Sequence, residues 1–399
     1  MNVGLVGHVD HGKTTLTECL TGKWTDTHSE ELKKGITIRL GYADVVFSKC
    51  SNGKKDDVFV AGKCSDGLKV VDSRRISFVD APGHESLMSK MLSGAALMDY
   101  ALLIIASNED CPQPQTKEHL VALEVIGVEK VVVVQNKVDL VSKKKALENY
   151  RQIKEFLKGS RYEDSPVIPV SAIKNLNVDS LIGKVLDYFE VPKRDEKGNP
   201  LMFVARSFDI NKPGVSVDKV SGGVLGGVVK KGVFSVGDEV ELNPGRMVSE
   251  GNKTSYVPLK TFITGIKAGD SVVDSVGVGG SVALMTGLDP FIVKSDKLTG
   301  SIVSFVGKAP KTFNSLLLDV HFIERLVGDG EVGGPVKKGE TFLINSNSAT
   351  TVGIVSNVSK KGVECSLKLP ISSDVGNKVT LSRRVGTRFR LFGYGIIKE

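Results

Sequence analysis

No stretch of the sequence is long and apolar enough to cross a membrane. The longest apolar run, Tyr100 to Ala106, falls far short of the roughly 18 residues that a span needs, so neither a transmembrane segment nor a membrane partner is expected. Aromatic residues make up 6% of the chain and include a single tryptophan, and no tract is of low complexity. The N-terminus, Met1-Asn2-Val3-Gly4-Leu5-Val6, lacks the basic and apolar regions of a secretory signal, which points to the cytoplasm. The five cysteines, Cys19, Cys50, Cys64, Cys111 and Cys365, are odd in number and scattered, a pattern that suits reduced thiols rather than a disulfide framework. Nor does one sign of charge dominate. The 53 basic and 46 acidic residues leave a net charge of +7, which favours a polyanionic partner without naming one.

The 399 residues are 41% hydrophobic and 25% charged, which is globular composition at a length that allows two to four domains. In the first half, short β-branched runs alternate with amphipathic helical stretches. Val3 to Val6, Arg75 to Asp80, Ala101 to Ala106, Val131 to Gln135 and Val167 to Val170 are expected to be strands. Runs as continuous as Val131-Val132-Val133-Val134 suit strands buried on both faces of a mostly parallel sheet, where ligands bind at the carboxyl ends. The charged, Pro- and Gly-containing segment Val191 to Pro200 marks a boundary. Beyond residue 200 the helical period disappears, and 28 of the 43 glycines lie there among short Val, Ile and Thr runs. The expected architecture is an α/β P-loop domain over residues 1–200 followed by two all-β barrels, 201–310 and 311–399. Ser301 to Val306 would be the closing strand of the first barrel.

Gly7-His8-Val9-Asp10-His11-Gly12-Lys13-Thr14 fits the phosphate-loop pattern between a strand and a helix that begins near Thr15. Its glycines let backbone N–H groups curl around phosphate oxygens, Lys13 neutralises the β and γ phosphates, and the Thr14 hydroxyl suits magnesium. Asp80-Ala81-Pro82-Gly83-His84 follows an apolar strand, so Asp80 emerges where it can hold magnesium through water. Asn136-Lys137-Val138-Asp139 adds base choice. The Asp139 carboxylate can accept from N1 and N2 of guanine, Lys137 would lie over the base, and Asn136 would brace the loop. Ser171-Ala172-Ile173-Lys174 would present backbone N–H groups to the guanine O6. Four such elements in this order at four strand ends indicate a GTP site with cofactor-binding residues Asp10, His11, Gly12, Lys13, Thr14, Thr15, Asp80, Gly83, Asn136, Lys137, Asp139, Ser171, Ala172 and Ile173.

With these residues in place the chain resembles translational GTPases. More selective runs are Glu30-Glu31-Leu32-Lys33-Lys34-Gly35-Ile36-Thr37-Ile38-Arg39-Leu40-Gly41-Tyr42-Ala43, Pro112-Gln113-Pro114-Gln115-Thr116-Lys117-Glu118-His119 and Arg206-Ser207-Phe208-Asp209-Ile210-Asn211-Lys212-Pro213-Gly214. Together they resemble the gamma subunit of archaeal and eukaryotic translation initiation factor 2, over nearly the whole chain. The resemblance implies GTP hydrolysis to GDP and phosphate, with Thr37 as the switch threonine that ligates magnesium in the GTP state. It implies that His84 orients the attacking water, that Val9 and Ile36 form an apolar gate around it, and that Asp10 lines the phosphate site beside Lys13. It also implies delivery of methionyl initiator tRNA to the small ribosomal subunit, within a heterotrimer that includes alpha and beta subunits. Elongation-type or selenocysteyl-tRNA carriers and the GTPase subunit of sulfate activation share the GTP motifs and stand as alternatives.

Archaeal members of that family commonly carry a zinc knuckle of two cysteine pairs, where this sequence has only Cys50 and Cys64. Two thiolates do not make a four-ligand closed site, so no zinc is expected. The polar stretch Ser48 to Asp72 reads as an exposed hairpin or mobile loop. On the nucleic-acid side, Gly222-Gly223-Val224-Leu225-Gly226-Gly227 suits either close approach of a tRNA end or an ordinary bulged strand. Tyr42 suits either the acceptor end or strand packing. Arg383, Arg384, Arg388 and Arg390 suit either phosphates or a solvated strand face.

Overall fold

The structure is a computed structural model that describes residues 1–25, 37, 40–51, 57–84, 87–212, 214, 216, 220–251, 253–269, 271–323, 334–386 and 388–398. The chain divides into two compact units, Met1–Pro192 and Lys193–Glu399. In the first, the elements run β1 (Asn2–Gly7), α1 (Lys13–Thr21), β2 (Gly41–Ser51), β3 (Val58–Ala61), β4 (Lys69–Asp80), α2 (Met88–Ala95), β5 (Tyr100–Ala106), α3 (Pro114–Ile126), β6 (Val131–Asn136), α4 (Lys143–Leu157), β7 (Val167–Pro169) and α5 (Val178–Tyr188). The strands form one seven-stranded sheet in the order β3-β2-β4-β1-β5-β6-β7. From β4 through β7 the pairing is parallel, and β2 runs antiparallel to both β3 and β4.

β1, β5 and β6 are buried at every position, which is why they read as unbroken apolar runs. Val3 and Leu5 of β1 share a core with Leu16 and Leu20 of α1 and with Leu181 and Val185 of α5. Local chemistry sets the helix ends: Pro114 opens α3, left-handed Gly22 and Gly127 close α1 and α3, and the Ser142 hydroxyl accepts from the Lys145 N–H to cap α4. The strand order brings the C-terminal ends of β1, β4 and β6, at Gly7, Asp80 and Asn136, to one edge of the sheet.

Two expectations change here. β4 begins at Lys69 rather than at Arg75, and of the two forms expected for the polar stretch 48–72 the described residues take the hairpin, with β3 antiparallel to β2. Exposed Lys69 and Val70 are held by the ladder to β2 rather than by burial, and exposed Val71 falls at the register shift beside them. Cys50 and Cys64 are not reduced thiols but a disulfide, with Cα atoms 5.8 Å apart, because the connection after β3 turns back toward the end of β2, where Lys69 pairs with Ser51. Cys19, Cys111 and Cys365 are free.

The second unit holds β8 (Leu201–Phe208), β9 (Val224–Lys231), β10 (Phe234–Ser235), β11 (Glu239–Glu250), β12 (Lys253–Ala268), β13 (Ser271–Val273), β14 (Ser275–Val276), β15 (Val282–Thr286), α6 (Pro290–Val293) and β16 (Ile302–Phe305). It continues with β17 (Thr312–Phe322), β18 (Thr341–Ser346), β19 (Ala349–Ser359), β20 (Gly362–Ser372), β21 (Lys378–Val385) and β22 (Arg388–Ile397). The order β11-β16-β8-β9-β15-β12-β13, closed by β11–β12 pairing, makes the first barrel. The second closes as β17-β20-β19-β18-β21-β22. Each has its own core, one around Leu225, Phe234 and Leu284 and the other around Phe342, Ile344 and Phe392. Among the described residues no helix is long and apolar enough to cross a membrane.

Candidate active site

β1 ends at Gly7, and the chain turns through Asp10 (φ 60°) and Gly12 (φ 89°) into α1. Gly7 itself holds φ 145°, and a Cβ there would lie 2.3 Å from the Ile104 carbonyl oxygen, so the exit from the sheet requires glycine. Lys13 is buried and folds back over the turn, donating to the carbonyls of Gly7 at 3.1 Å and His8 at 2.7 Å. Gly83 closes on the same loop: a Cβ there would sit 2.4 Å from Lys13 Nζ and 2.9 Å from the Gly7 carbonyl oxygen. Val9 and Thr15 are half-buried and Asp10 is exposed. His84, next to Gly83, is half-buried, and its carbonyl accepts from the Leu87 N–H at 2.9 Å. Ile36, expected at the gate, lies outside the described residues.

Hydroxyls gather at the buried end of β4. Asp80 is fully buried, and its Oδ2 accepts from Thr14 at 2.9 Å and from Thr25 at 2.7 Å. The Thr14 and Thr37 hydroxyl oxygens are 3.1 Å apart. Sequence reasoning missed Thr25, whose place early in the segment between α1 and β2 carries no spacing signal toward Asp80. A carboxylate with three hydroxyls is the hard oxygen donor set that suits magnesium.

The base-side motifs meet through Asn136. Its Nδ2 donates to the His11 carbonyl at 3.0 Å and its Oδ1 accepts from the Ala172 N–H at 3.1 Å, so one buried amide ties the phosphate loop to residues 171–173. Ser107 adds two bonds to the Asn136 carbonyl, from its N–H at 2.9 Å and its hydroxyl at 2.8 Å. Lys137 adopts a left-handed conformation and Asp139 stands exposed in the short turn that follows. Ser171 exchanges backbone bonds with Leu176, which tightens the loop that carries Ala172 and exposed Ile173.

Histidines surround this loop. His11 Nδ1 lies 3.0 Å from the Ile104 carbonyl and Nε2 3.3 Å from Glu109, yet burial lowers its pKa against both. His8 is lowered mainly by burial too, and its ring lies 5.2 Å from that of His11. His119 is buried, and its Nδ1 accepts the Gly7 N–H at 2.9 Å. Burial, with Lys13 and the other two rings adding to it, pushes the His119 pKa down to about 3.

Residues 1–191 match the elongation factor Tu GTP-binding domain family, and residues 314–397 match the C-terminal domain of initiation factor eIF2 gamma. The translation initiation factor 2 subunit gamma of Methanothermobacter thermautotrophicus is 51% identical over 402 residues, covering all of this chain and 98% of that protein. Its namesake from Methanococcus maripaludis is 50% identical over 401 residues, again covering all of this chain and 98% of the relative. The chain belongs to the translation initiation factor 2 gamma family. It is therefore a translational GTPase of initiation, of a family that binds GTP and GDP. The fold is also that of a bacterial selenocysteine-specific elongation factor, with a TM-score of 0.74 at 22% identity. This chain is wholly covered and spans 58% of that one, a likeness of architecture alone.

In this gamma-family chain several nucleic-acid candidates are occupied structurally. Arg383 is buried, donates to the Gly334 carbonyl and pairs with Glu340 at 2.6 Å, so it is not an open phosphate contact. Arg384 and Arg388 are exposed and Arg390 is half-buried on the β21–β22 hairpin. Gly226 and Gly227 lie in β9 as paired barrel-strand residues, and the register shift opposite them, between Val204 and Arg206, is in β8 rather than in the glycine strand. Tyr42 is half-buried on β2 with Val79 as its register partner.

Proposed function

We propose that this chain is the GTP-gated carrier of methionyl initiator tRNA to the small ribosomal subunit, the gamma subunit of a cytoplasmic heterotrimer with alpha and beta partners. The observation that carries the reading is the cluster at Asp80, where Thr14 of the phosphate loop and Thr37 of the switch segment lie side by side. A γ-phosphate-dependent pull on Thr37 acts there on the segment around residues 24–42, and hydrolysis releases it. Lys13, which donates to the carbonyls of Gly7 and His8 in the nucleotide-free chain, would turn to the β and γ phosphates of a bound nucleotide. Thr14 and Thr37, with Asp80 through water, would hold magnesium, which when bound would neutralise phosphate charge. His84 orients the attacking water, with Val9 and Ile36 as its gate and Asp10 lining the site. Asp139 selects guanine, Lys137 covers the base, and Ser171, Ala172 and Ile173 offer N–H groups to O6.

Zinc does not fit this reading. Cys50 and Cys64 are bonded to each other where a closed site takes four ligands, and metal analysis of purified protein should find no stoichiometric zinc.

Filter binding of methionyl initiator and methionyl elongator tRNA, at fixed salt with a GTP analogue or GDP and with or without an alpha subunit, tests the carrier role. Initiator preference in the GTP form is expected. Equal retention of both tRNAs favours an elongation-type carrier, and no retention under any nucleotide contradicts the reading.

A further inference from the structure

The run Pro112 to His119 distinguishes the family in the sequence, yet none of the roles assigned above uses it. Its last residue supplies one. Pro114 sets the first turn of α3, and the helix delivers His119, 1% exposed, to the point where β1 leaves the sheet. There Nδ1 accepts the Gly7 N–H. A backbone amide can only donate, so Nδ1 is bare and the neutral ring keeps its proton on Nε2. In the nucleotide-free chain Gly7 is thus held from both sides, its N–H by the His119 imidazole and its carbonyl by the Lys13 ammonium, and the His119 bond is the one that stays when Lys13 turns to the phosphates. Because Gly7 carries the φ that turns the chain into the loop, fixing it fixes the start of the arc of backbone N–H groups that follows.

We propose that His119 is a positioning residue for guanine-nucleotide phosphate binding, acting through the bare Nδ1 that anchors Gly7. The inference rests on residues 7–14 being the phosphate loop. GDP and GTP are both affected, since the loop serves the phosphates they share.

The test compares full-length His119→Asn, His119→Gln and His119→Phe in equilibrium titrations with GDP, alongside imidazole 15N spectra of the parent protein. Asn places an oxygen at the Nδ1 position, Gln places one near the Nε2 position, and Phe keeps the ring shape without an acceptor. Loss of the acceptor leaves a buried N–H unpaired, so His119→Phe and His119→Gln are expected to weaken GDP binding by about tenfold to a hundredfold. His119→Asn should stay within about threefold of the parent, less than one such bond. A packing role would reverse the order, with Asn worst because it is smallest. The inference is overturned by parental affinity in His119→Phe, by His119→Asn binding no better than His119→Phe, or by spectra that place a proton on Nδ1. Parent protein that binds no GDP would instead overturn the phosphate-loop reading on which the inference stands.

Discussion

The Thr25 hydroxyl donates to Asp80 at 2.7 Å, on the same carboxylate oxygen that accepts from Thr14 at 2.9 Å. The N-terminal end of the switch segment and the first turn of α1 therefore share one buried acceptor, with Thr37 of the same segment against Thr14. In the nucleotide-free chain Thr25→Val is expected to cost the GTPase-domain unfolding transition about 1.5 kcal/mol, the contribution of a bond to a charged acceptor. Thr25→Ser should recover most of it. Urea unfolding of the three proteins checks this, and an unchanged midpoint in the valine variant would remove Thr25 from the cluster.

Asn136 serves the two loops at once, so truncation exposes more than one failure. Asn136→Ala leaves the His11 carbonyl and the Ala172 N–H unpaired in a buried setting. A loss of about 3 kcal/mol is expected, together with weaker nucleotide binding, since each orphaned group costs roughly 1–3 kcal/mol. Denaturant midpoints and GDP titration read the two effects separately.

Acid should destabilise the first unit before carboxylates titrate. His119 titrates at about 3 in the folded chain against an ordinary histidine value of 6.5 in an open one, so the unfolded chain takes up a proton that the native chain refuses. Its contribution is whole above pH 6.5 and is lost as pH falls toward the folded value, at about 1.4 kcal/mol per pH unit for one proton. His8 and His11, also lowered by burial, steepen the loss. Unfolding free energies measured from about pH 7 down to about pH 4.5, a window that brackets the ordinary histidine range, should fall less steeply in His119→Asn by one proton's slope. An identical slope in parent and variant would mean that His119 protonates freely in the native state.

Thiol counting addresses the cysteines. Protein purified without reductant and denatured should show three reactive thiols, from Cys19, Cys111 and Cys365, and five after reduction. Closing a loop of this length contributes about 3 kcal/mol through the unfolded state, so Cys64→Ser should lower stability by about that much. Five thiols before reduction would mean that the pair stays open.

Strands β1, β5 and β6 were legible because burial on both faces writes an unbroken apolar run into the sequence, and the phosphate-loop and Asn136 motifs follow at the ends of β1 and β6. The first six residues of β4 were not. Lys69, Val70 and Val71 are exposed, and main-chain pairing to β2 leaves no pattern in side-chain polarity. Thr25 and His119 were hidden for another reason: their partners lie 55 and 112 residues away, and one hydrogen bond at such separation leaves no local period. The Cys50–Cys64 bond and the Arg383–Glu340 pair likewise depend on which strands become neighbours, which composition and spacing do not encode.

The most direct test of the switch is the ratio of methionyl initiator tRNA affinities in the GTP-analogue and GDP states, measured at fixed salt for the parent and for Thr37→Ala. The parent is expected to favour the GTP form. The variant should lose that preference while still binding GDP, because the hydroxyl beside Thr14 is gone and the phosphate loop is intact. A Thr37→Ala protein that keeps the parental ratio would contradict the coupling of nucleotide state to tRNA through the Asp80 cluster.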